Sequence, residues 1–364
     1  MRSKAVSSIV NFEAMSPQKY LIVVALTGLL LGILHLQLFL YQLGAPIQAE
    51  YWLYELATVK QYRATLPKTP KLVILGGSNA LFGIDTALLE RTLGIPSVNL
   101  ALQGGLSIDY VIHEAREILQ PHDHVLLAIE YDRYAREEPY DLWFTNQIMT
   151  WGTTYFWDLP LKERATFIRS VPFNRLIAGV LAQSLRAHFA AFKQRSLASP
   201  EDIFDRHTNA LQETAISPQD MYSLRNIDFR GDARSIKSLW REDYEHKDYE
   251  LARPFILVPR IWQELRSFSE FCQDRGITIY IAWPPTMKND KLNFDSPVTQ
   301  QHLRKLETQW SLLQIPQLGR PQEYSYDRVL FGDTVYHLTH AGRSLHTEAI
   351  LRYLRPLFSS PSQG

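Results

Sequence analysis

At 364 residues, 46% of them hydrophobic and 21% charged, the chain can bury a large core and does not have the composition of a disordered protein. Its 38 basic residues balance 38 acidic ones, so the basic excess of a phosphate-backbone binder is missing and nucleic acid is not an expected partner. A single cysteine, Cys272, rules out an intrachain disulfide and a cysteine-based metal site.

The first element is apolar on every side. Residues 21–40 read LIVVALTGLLLGILHLQLFL, close to the roughly 20 residues a helix needs to cross a hydrocarbon core. Arg2, Lys4 and Lys19 precede it against a single Glu13. The positive-inside rule then predicts a cytoplasmic 1–20, a span over 21–42 and an extracytoplasmic globular part. A cleaved signal peptide with a site at Ile47-Gln48-Ala49 is the rival reading. Its apolar region would exceed the roughly 7 to 15 residues usual for such segments, so an uncleaved single-pass membrane anchor is expected.

A connector, 43–70, is helical around 51–63 and ends at Pro67-Lys-Thr-Pro70. A strand over 72–75 runs into Gly76-Gly77-Ser78-Asn79. Asp85 caps a short helix to Leu93, which Gly94 stops. A second strand, 98–102, reaches Gly104-Gly105, and Ser107 opens a helix whose apolar positions Ile108, Val111, Ile112, Ala115, Ile118 and Leu119 keep the helical period. The third strand, 124–129, is nearly all apolar, as for a strand covered on both faces, and is followed by Glu130-Tyr131-Asp132.

Residues 131–253 break this rhythm: an aromatic-rich start, helical stretches at 161–169 and 175–192, then a polar segment over 196–248. They read as an insertion that caps the sheet or forms a lid. The rhythm resumes with a helix through Ile261, Trp262, Leu265, Phe268 and Cys272, a strand over 277–283 halted by Pro284-Pro285, and a last helix over 343–354. Strands alternating with helices predict a three-layer α/β domain over 71–358, built on an open, mostly parallel, flavodoxin-like sheet.

Ligands of such sheets bind beyond the carboxyl ends of the strands. A serine hydroxyl (Ser78), a glycine pair with backbone N–H groups (Gly104, Gly105), carboxylates (Glu130, Asp132) and an imidazole before the last helix (His337) would therefore meet in one crevice. That set contains a nucleophile, oxyanion donors and a base. Each residue also has an ordinary structural reading. Ser78 could cap a turn, Asp333 could solvate a loop, and Glu130 and Asp132 could form salt bridges. The aromatics of 131–157 could be core or a sugar-stacking platform. His122 and His124 flank Asp123 away from the active edge, so no metal site is expected there.

On these blocks the chain resembles the SGNH (GDSL-type) hydrolases, and within them the membrane-anchored SGNH-like proteins of bacterial envelope-polymer modification. Gly76-Gly77-Ser78-Asn79-Ala-Leu-Phe-Gly83 is similar to the block carrying the nucleophilic serine, with Gly77 where an aspartate is usual. Asn99-Leu-Ala-Leu-Gln-Gly104 is similar to the block whose glycine donates to the oxyanion. Asp333 to Gly342 is similar to the last block, with His337 as base and Asp333 as its orienter, spaced Asp-x-x-x-His instead of the commoner Asp-x-x-His. The third block departs: Glu130-Tyr131-Asp132 stands where the family places an oxyanion-binding asparagine. The resemblance implies Ser78, His337 and Asp333 as catalytic residues, with Gly104, Gly105, Asn79, Glu130 and Asp132 as oxyanion- or substrate-binding candidates. It further implies an extracytoplasmic O-acyltransferase or esterase acting on an envelope glycan or polymer, without cofactor or metal, and a membrane-bound O-acyltransferase as partner. The alternative is a non-catalytic SGNH-like protein that binds polysaccharide or docks a biosynthetic partner.

Overall fold

A computed structural model describes residues 16–45, 49–136, 140–188, 197–213, 216–217, 220–234, 251 and 255–359. The expected cytoplasmic residues 1–15, the rival cleavage site at 47–48, and residues 235–250 and 252–254 of the expected insertion lie outside them. The described residues fall into two compact units.

The first unit comprises 16–45 and 145–188. Helix α1 (Pro17–Gln42) starts four residues earlier than expected because Ser16 caps it, accepting from the Lys19 N–H, and Pro17 suits the first helical position. It is long and apolar enough to cross a membrane. Helices α7 (Thr153–Asp158), α8 (Leu161–Ser170) and α9 (Phe173–His188) accompany it, together with the end of α6 (Leu142–Thr150). Their core is aromatic, with Phe39 of α1 packed on Phe156 and Phe167 at ring separations of 5.2 and 6.1 Å. The 145–188 stretch of the expected insertion thus packs with the apolar helix.

The second unit comprises 49–144 and the residues from 197 onward. Its sheet has five strands, β1 (Leu72–Gly76), β2 (Ser97–Asn99), β3 (His124–Ala128), β4 (Thr278–Ala282) and β6 (Gln317–Leu318), in the order β2-β1-β3-β4-β6 with every pairing parallel. A separate parallel pair joins β5 (Thr286–Met287) to β7 (Ser325–Tyr326). Strand β1 is buried from end to end and β3 from Val125 onward, as parallel strands under helices must be. Helix α2 (Tyr51–Thr65), helix α5 (Ile108–Ile118) and helix α4 (Thr86–Leu93) pack around them; α4 is capped by Asp85, which accepts from the Leu88 N–H at 2.8 Å, and is closed by left-handed Gly94 at φ 73°.

The expected second strand is shorter than its apolar run, although the Leu100 N–H still donates to the Ile74 carbonyl at 2.9 Å. As an edge strand, β2 needs cover. It is supplied from the insertion: the Asn99 N–H donates to the Arg230 carbonyl at 2.8 Å, and Gly231, at φ 93°, lies so close to Asn99 that a side chain there would meet its carbonyl. Helix α10 (Pro200–Leu211) precedes this segment. Helix α11 (Pro259–Asp274) and the final helix, α13 (His340–Ser359), occur where expected, α13 being longer at both ends; α12 (Pro297–Leu312) and strand β6 were not anticipated. The order β2-β1-β3 sets the carboxyl ends of the first three strands side by side, which places the Ser78, Gly104 and Glu130 loops at one edge.

Candidate active site

Strand β1 ends at Gly76, Gly77 is extended, and a six-residue helix, α3 (Ser78–Gly83), starts at Ser78 itself. The sharp strand-to-helix change leaves the half-buried serine at the head of the helix, where the first N–H groups have no intrahelical acceptor. Gly77 is required by close approach: a Cβ there would overlap the Glu130 carboxyl. The same carboxyl lies beside Gly104, whose hypothetical Cβ would be 3.3 Å from Glu130 Oε1 and 4.0 Å from Ser78 Oγ. Ser78, Gly104 and Glu130 therefore share one small volume.

His337 comes from the loop before α13. The Gly332 N–H donates to the His337 carbonyl at 2.7 Å, and the His337 N–H donates to Thr334 Oγ1 at 3.1 Å, which fixes the loop. His337 Nδ1 lies 2.8 Å from Asp333 Oδ1, so a carboxylate acceptor assigns the proton to Nδ1 and leaves Nε2 as the basic nitrogen. The second Asp333 oxygen accepts from the Tyr222 hydroxyl at 2.5 Å. Burial pushes the Asp333 carboxyl up, but the hydrogen bonds from His337 and Tyr222 and the imidazole charge outweigh it and hold it below the usual carboxylate range. The His337 ring is 5% exposed and packs on Phe82 with 4.6 Å between ring centroids. Phe82 follows Ser78 by four residues in α3, so it lies one turn along the same helical face. The imidazole thus packs on the short helix that Ser78 opens, one turn along it, and no hydrogen bond joins Ser78 Oγ to His337 among the described residues.

The oxyanion candidates differ in what their donors already bind. No described residue accepts from the Gly104 N–H, which is half-buried beside Ser78. The Gly105 N–H, expected as a second donor, is taken by Gln103 Oε1, and Trp143 covers the position a Cβ would fill. Asn79 differs from expectation in the same way: its side chain is fully buried and Nδ2 donates to the Ala128 carbonyl at 3.1 Å, tying α3 to β3 instead of facing a substrate. Asp132 lies at the rim, 3.9 Å from Arg136 and 3.4 Å from the Tyr336 hydroxyl.

Glu130 is the unusual member. It is 3% exposed, its Oε1 accepts from the Asn79 N–H at 3.4 Å, and Oε2 has no hydrogen-bond partner. Arg133, itself buried, stands 3.6 Å away. Burial raises the Glu130 pKa, Arg133 opposes that rise, and Asp132 adds to it.

Three further residues were not singled out from sequence. Tyr222 bridges to Asp333 from a polar stretch more than a hundred residues upstream, with no local pattern to flag it. Glu50 accepts both the Trp52 and the Trp143 indole N–H, at 2.8 and 2.7 Å. Trp143 borders Gly105, and Trp52 packs edge-on to Tyr222 at 5.8 Å, so Glu50 links one indole beside the Gly104 loop to another beside Tyr222. Of the aromatics expected as core or platform, Tyr131, Tyr134, Tyr140, Phe144, Tyr155 and Phe156 are buried, whereas Trp157 is 50% exposed. Asp123 does not address its flanking histidines: it pairs with buried Lys71 at 2.6 Å, and no described cluster of three His, Cys, Asp or Glu could hold a metal ion.

No protein-family model matches the chain, and no curated protein matches it in sequence.

Proposed function

We propose that the chain is an SGNH-like serine O-acyltransferase or esterase, anchored by α1 with its second unit outside the cytoplasm, acting on an acylated glycan or polymer of the cell envelope. The observation that carries this reading is the Asp333–His337 pair at 2.8 Å, seated on Phe82 one helical turn from Ser78. Ser78 Oγ attacks the acyl carbonyl carbon while His337 Nε2 accepts the hydroxyl proton. The resulting oxyanion is met by the Ser78 and Gly104 N–H groups. Collapse breaks the ester bond, the departing alkoxide takes the proton from His337, and the acyl group stays on Ser78. A sugar hydroxyl or water then attacks the acyl-serine, with His337 again as base. The Trp52–Glu50–Trp143 arrangement supports a carbohydrate acceptor, because indole faces bind the apolar faces of sugar rings. The resemblance to anchored envelope proteins supports a membrane-bound O-acyltransferase as the source of acyl groups.

The test is direct. The detergent-solubilised full chain is incubated with p-nitrophenyl acetate, quenched in acid and digested, and the Ser78 peptide is weighed. An acetyl group on that peptide, absent from Ser78→Ala, is the expected result; its absence from the wild type, or acetylation that Ser78→Ala leaves unchanged, overturns the assignment. A second reading, a non-catalytic glycan-binding or docking protein, is favoured by Glu130 beside Gly104 and by the open Ser78–His337 pair. It predicts envelope-polymer acylation that survives Ser78→Ala.

A further inference from the structure

We infer that the α8–α9 hairpin is a wedge that enters the lipid leaflet at the C-terminal end of α1, so that the first unit holds the membrane through a re-entrant helical tip as well as through the span. This depends on α1 as a membrane span and is independent of the chemistry at Ser78.

The side chains of α1 are exposed all round from Tyr20 to Leu34, as a lipid-facing helix requires, and burial starts only near the end, at Phe39 and Gln42. That buried face belongs to the hairpin. His35 Nε2 lies 3.1 Å from the Ile168 carbonyl at the end of α8, and the His35 ring stacks on Phe173 at 6.3 Å. Higher on α1, Gln42 Nε2 donates to the Leu176 carbonyl at 2.6 Å, and Gly179 is packed so tightly on Gln42 that a Cβ would clash. Moving along α1 from His35 to Gln42 thus matches moving along α9 from Phe173 to Gly179. The two helices run side by side in the same direction, and the turn between α8 and α9 lies at the level of His35. Seven residues at 1.5 Å each set that turn about 10 Å below Gln42. The apolar run of α1 continues to Leu40, so the tip lies inside the depth that must be lipid-covered.

The outward face of α9 agrees, whereas that of α8 is polar, with Lys162, Thr166 and Arg169 exposed, so α9 is the side turned to lipid. Phe173, Ile177 and Leu181, spaced by four, form one stripe of α9 and are 45, 41 and 60% exposed. A stripe of large apolar side chains facing water would be costly, and this one continues the lipid-facing surface of α1. Arg169 and Asn174 are exposed on either side of the tip, where the long Arg169 side chain can reach toward the headgroups. Arg175 and Gln42 are buried inward, where Arg175 donates to Gln42 Oε1 at 2.5 Å and to Asn146 Oδ1 at 2.8 Å. Exposed Trp157 is crossed by the Arg164 guanidinium at 5.3 Å from the ring, the pairing of an amphipathic aromatic with a basic headgroup contact found at membrane surfaces.

The test uses the full chain with Cys272→Ala, reconstituted in phosphatidylcholine–phosphatidylglycerol vesicles and spin-labelled at single cysteines. Phe173→Cys and Ile177→Cys report on the stripe. Leu30→Cys in the span and Val329→Cys in the second unit, 65 and 77% exposed, give the lipid and water references. Collision with dissolved oxygen is compared with collision with a water-soluble nickel chelate. Labels at 173 and 177 are expected to lose nickel accessibility and approach the Leu30 ratio. Labels that match Val329 overturn the wedge, and a Leu30 label that matches Val329 overturns the span beneath it.

Discussion

Replacing Glu130 with Gln separates two consequences of the site geometry. The carboxyl is buried, shares the space beside Gly104 and Ser78, and has its pKa raised by burial. The titratable and charged groups acting on it are Arg133 at 3.6 Å, Asp132 and Tyr134. From α3 and from the Gly104 loop it meets the neutral Asn79 N–H, Gly77 and Gly104. An ionised Glu130 roughly 5–7 Å from the developing oxyanion would oppose it by about 2–3 kcal/mol at an effective dielectric near 20, roughly a hundredfold in rate, and Arg133 offsets part of that. A neutral carboxyl, or the isosteric amide, has no such charge and can donate a hydrogen bond. Acylation of the wild-type serine should therefore slow as pH rises and Glu130 ionises. In Glu130→Gln that falling limb disappears, and above the pH at which Glu130 ionises the variant is faster by about ten- to a hundredfold. The assay is the rate of Ser78 modification by a fluorophosphonate across pH 5 to 10. A Gln variant with the wild-type profile, or one slower at every pH, would refute the reasoning. Stability moves in the same direction. Each unit by which the folded pKa exceeds the unfolded value costs about 1.4 kcal/mol once pH has passed both, so the stability present below the unfolded pKa is lost as pH rises through the folded one.

Asp333→Asn keeps the shape of the base pair but favours the wrong imidazole tautomer, and modification of Ser78 should slow by about 10⁴-fold; a change under tenfold would remove Asp333 from the mechanism. Tyr222→Phe deletes a hydrogen bond to the same carboxylate and should slow it by about tenfold, seen in the same assay, with Asp333 returning toward the usual carboxylate range. Buried Lys60 has its pKa lowered by burial from 10.5 to about 7, a difference of about 5 kcal/mol. The unfolded chain binds this proton at higher pH than the native one, so stability is lost as pH falls from 10.5 to about 7. Lys60→Met should accordingly be more stable by about 1–4 kcal/mol at pH 6, with the gain shrinking toward pH 10; denaturant unfolding that shows no gain at pH 6 would contradict this.

Much of the second unit was legible because its signals are local. Asp85 and Gly94 bracket α4, Ser107 opens α5, and the apolar runs of β1 and β3 read as covered strands. Helix α12 carries a local signal of its own: Ser296, then Pro297 at the first position, then Leu303, Leu306 and Trp310 on one face. Strand β6 had almost none, since two residues, Gln317 and Leu318, carry no period. At the site, the sequence placed Ser78, Gly104, Glu130 and His337 at one edge only through the rule that such sheets bind ligands beyond the carboxyl ends of their strands. It could not show that Gln103 takes the Gly105 N–H, that Asn79 is tied to Ala128, or that Tyr222 reaches Asp333, because those contacts are set by side-chain packing between distant segments. The association of 145–188 with α1 was hidden for the same reason: Phe39 meets Phe156 and Phe167 across more than a hundred residues.

Fluorophosphonate labelling of the full chain in detergent, comparing wild type, Ser78→Ala and His337→Ala, shows whether Ser78 is a nucleophile activated by His337. A labelled wild type, an unlabelled Ser78→Ala, and a His337→Ala slowed by several orders of magnitude are expected. Equal labelling of the wild type and Ser78→Ala, or a His337→Ala indistinguishable from wild type, would contradict that assignment.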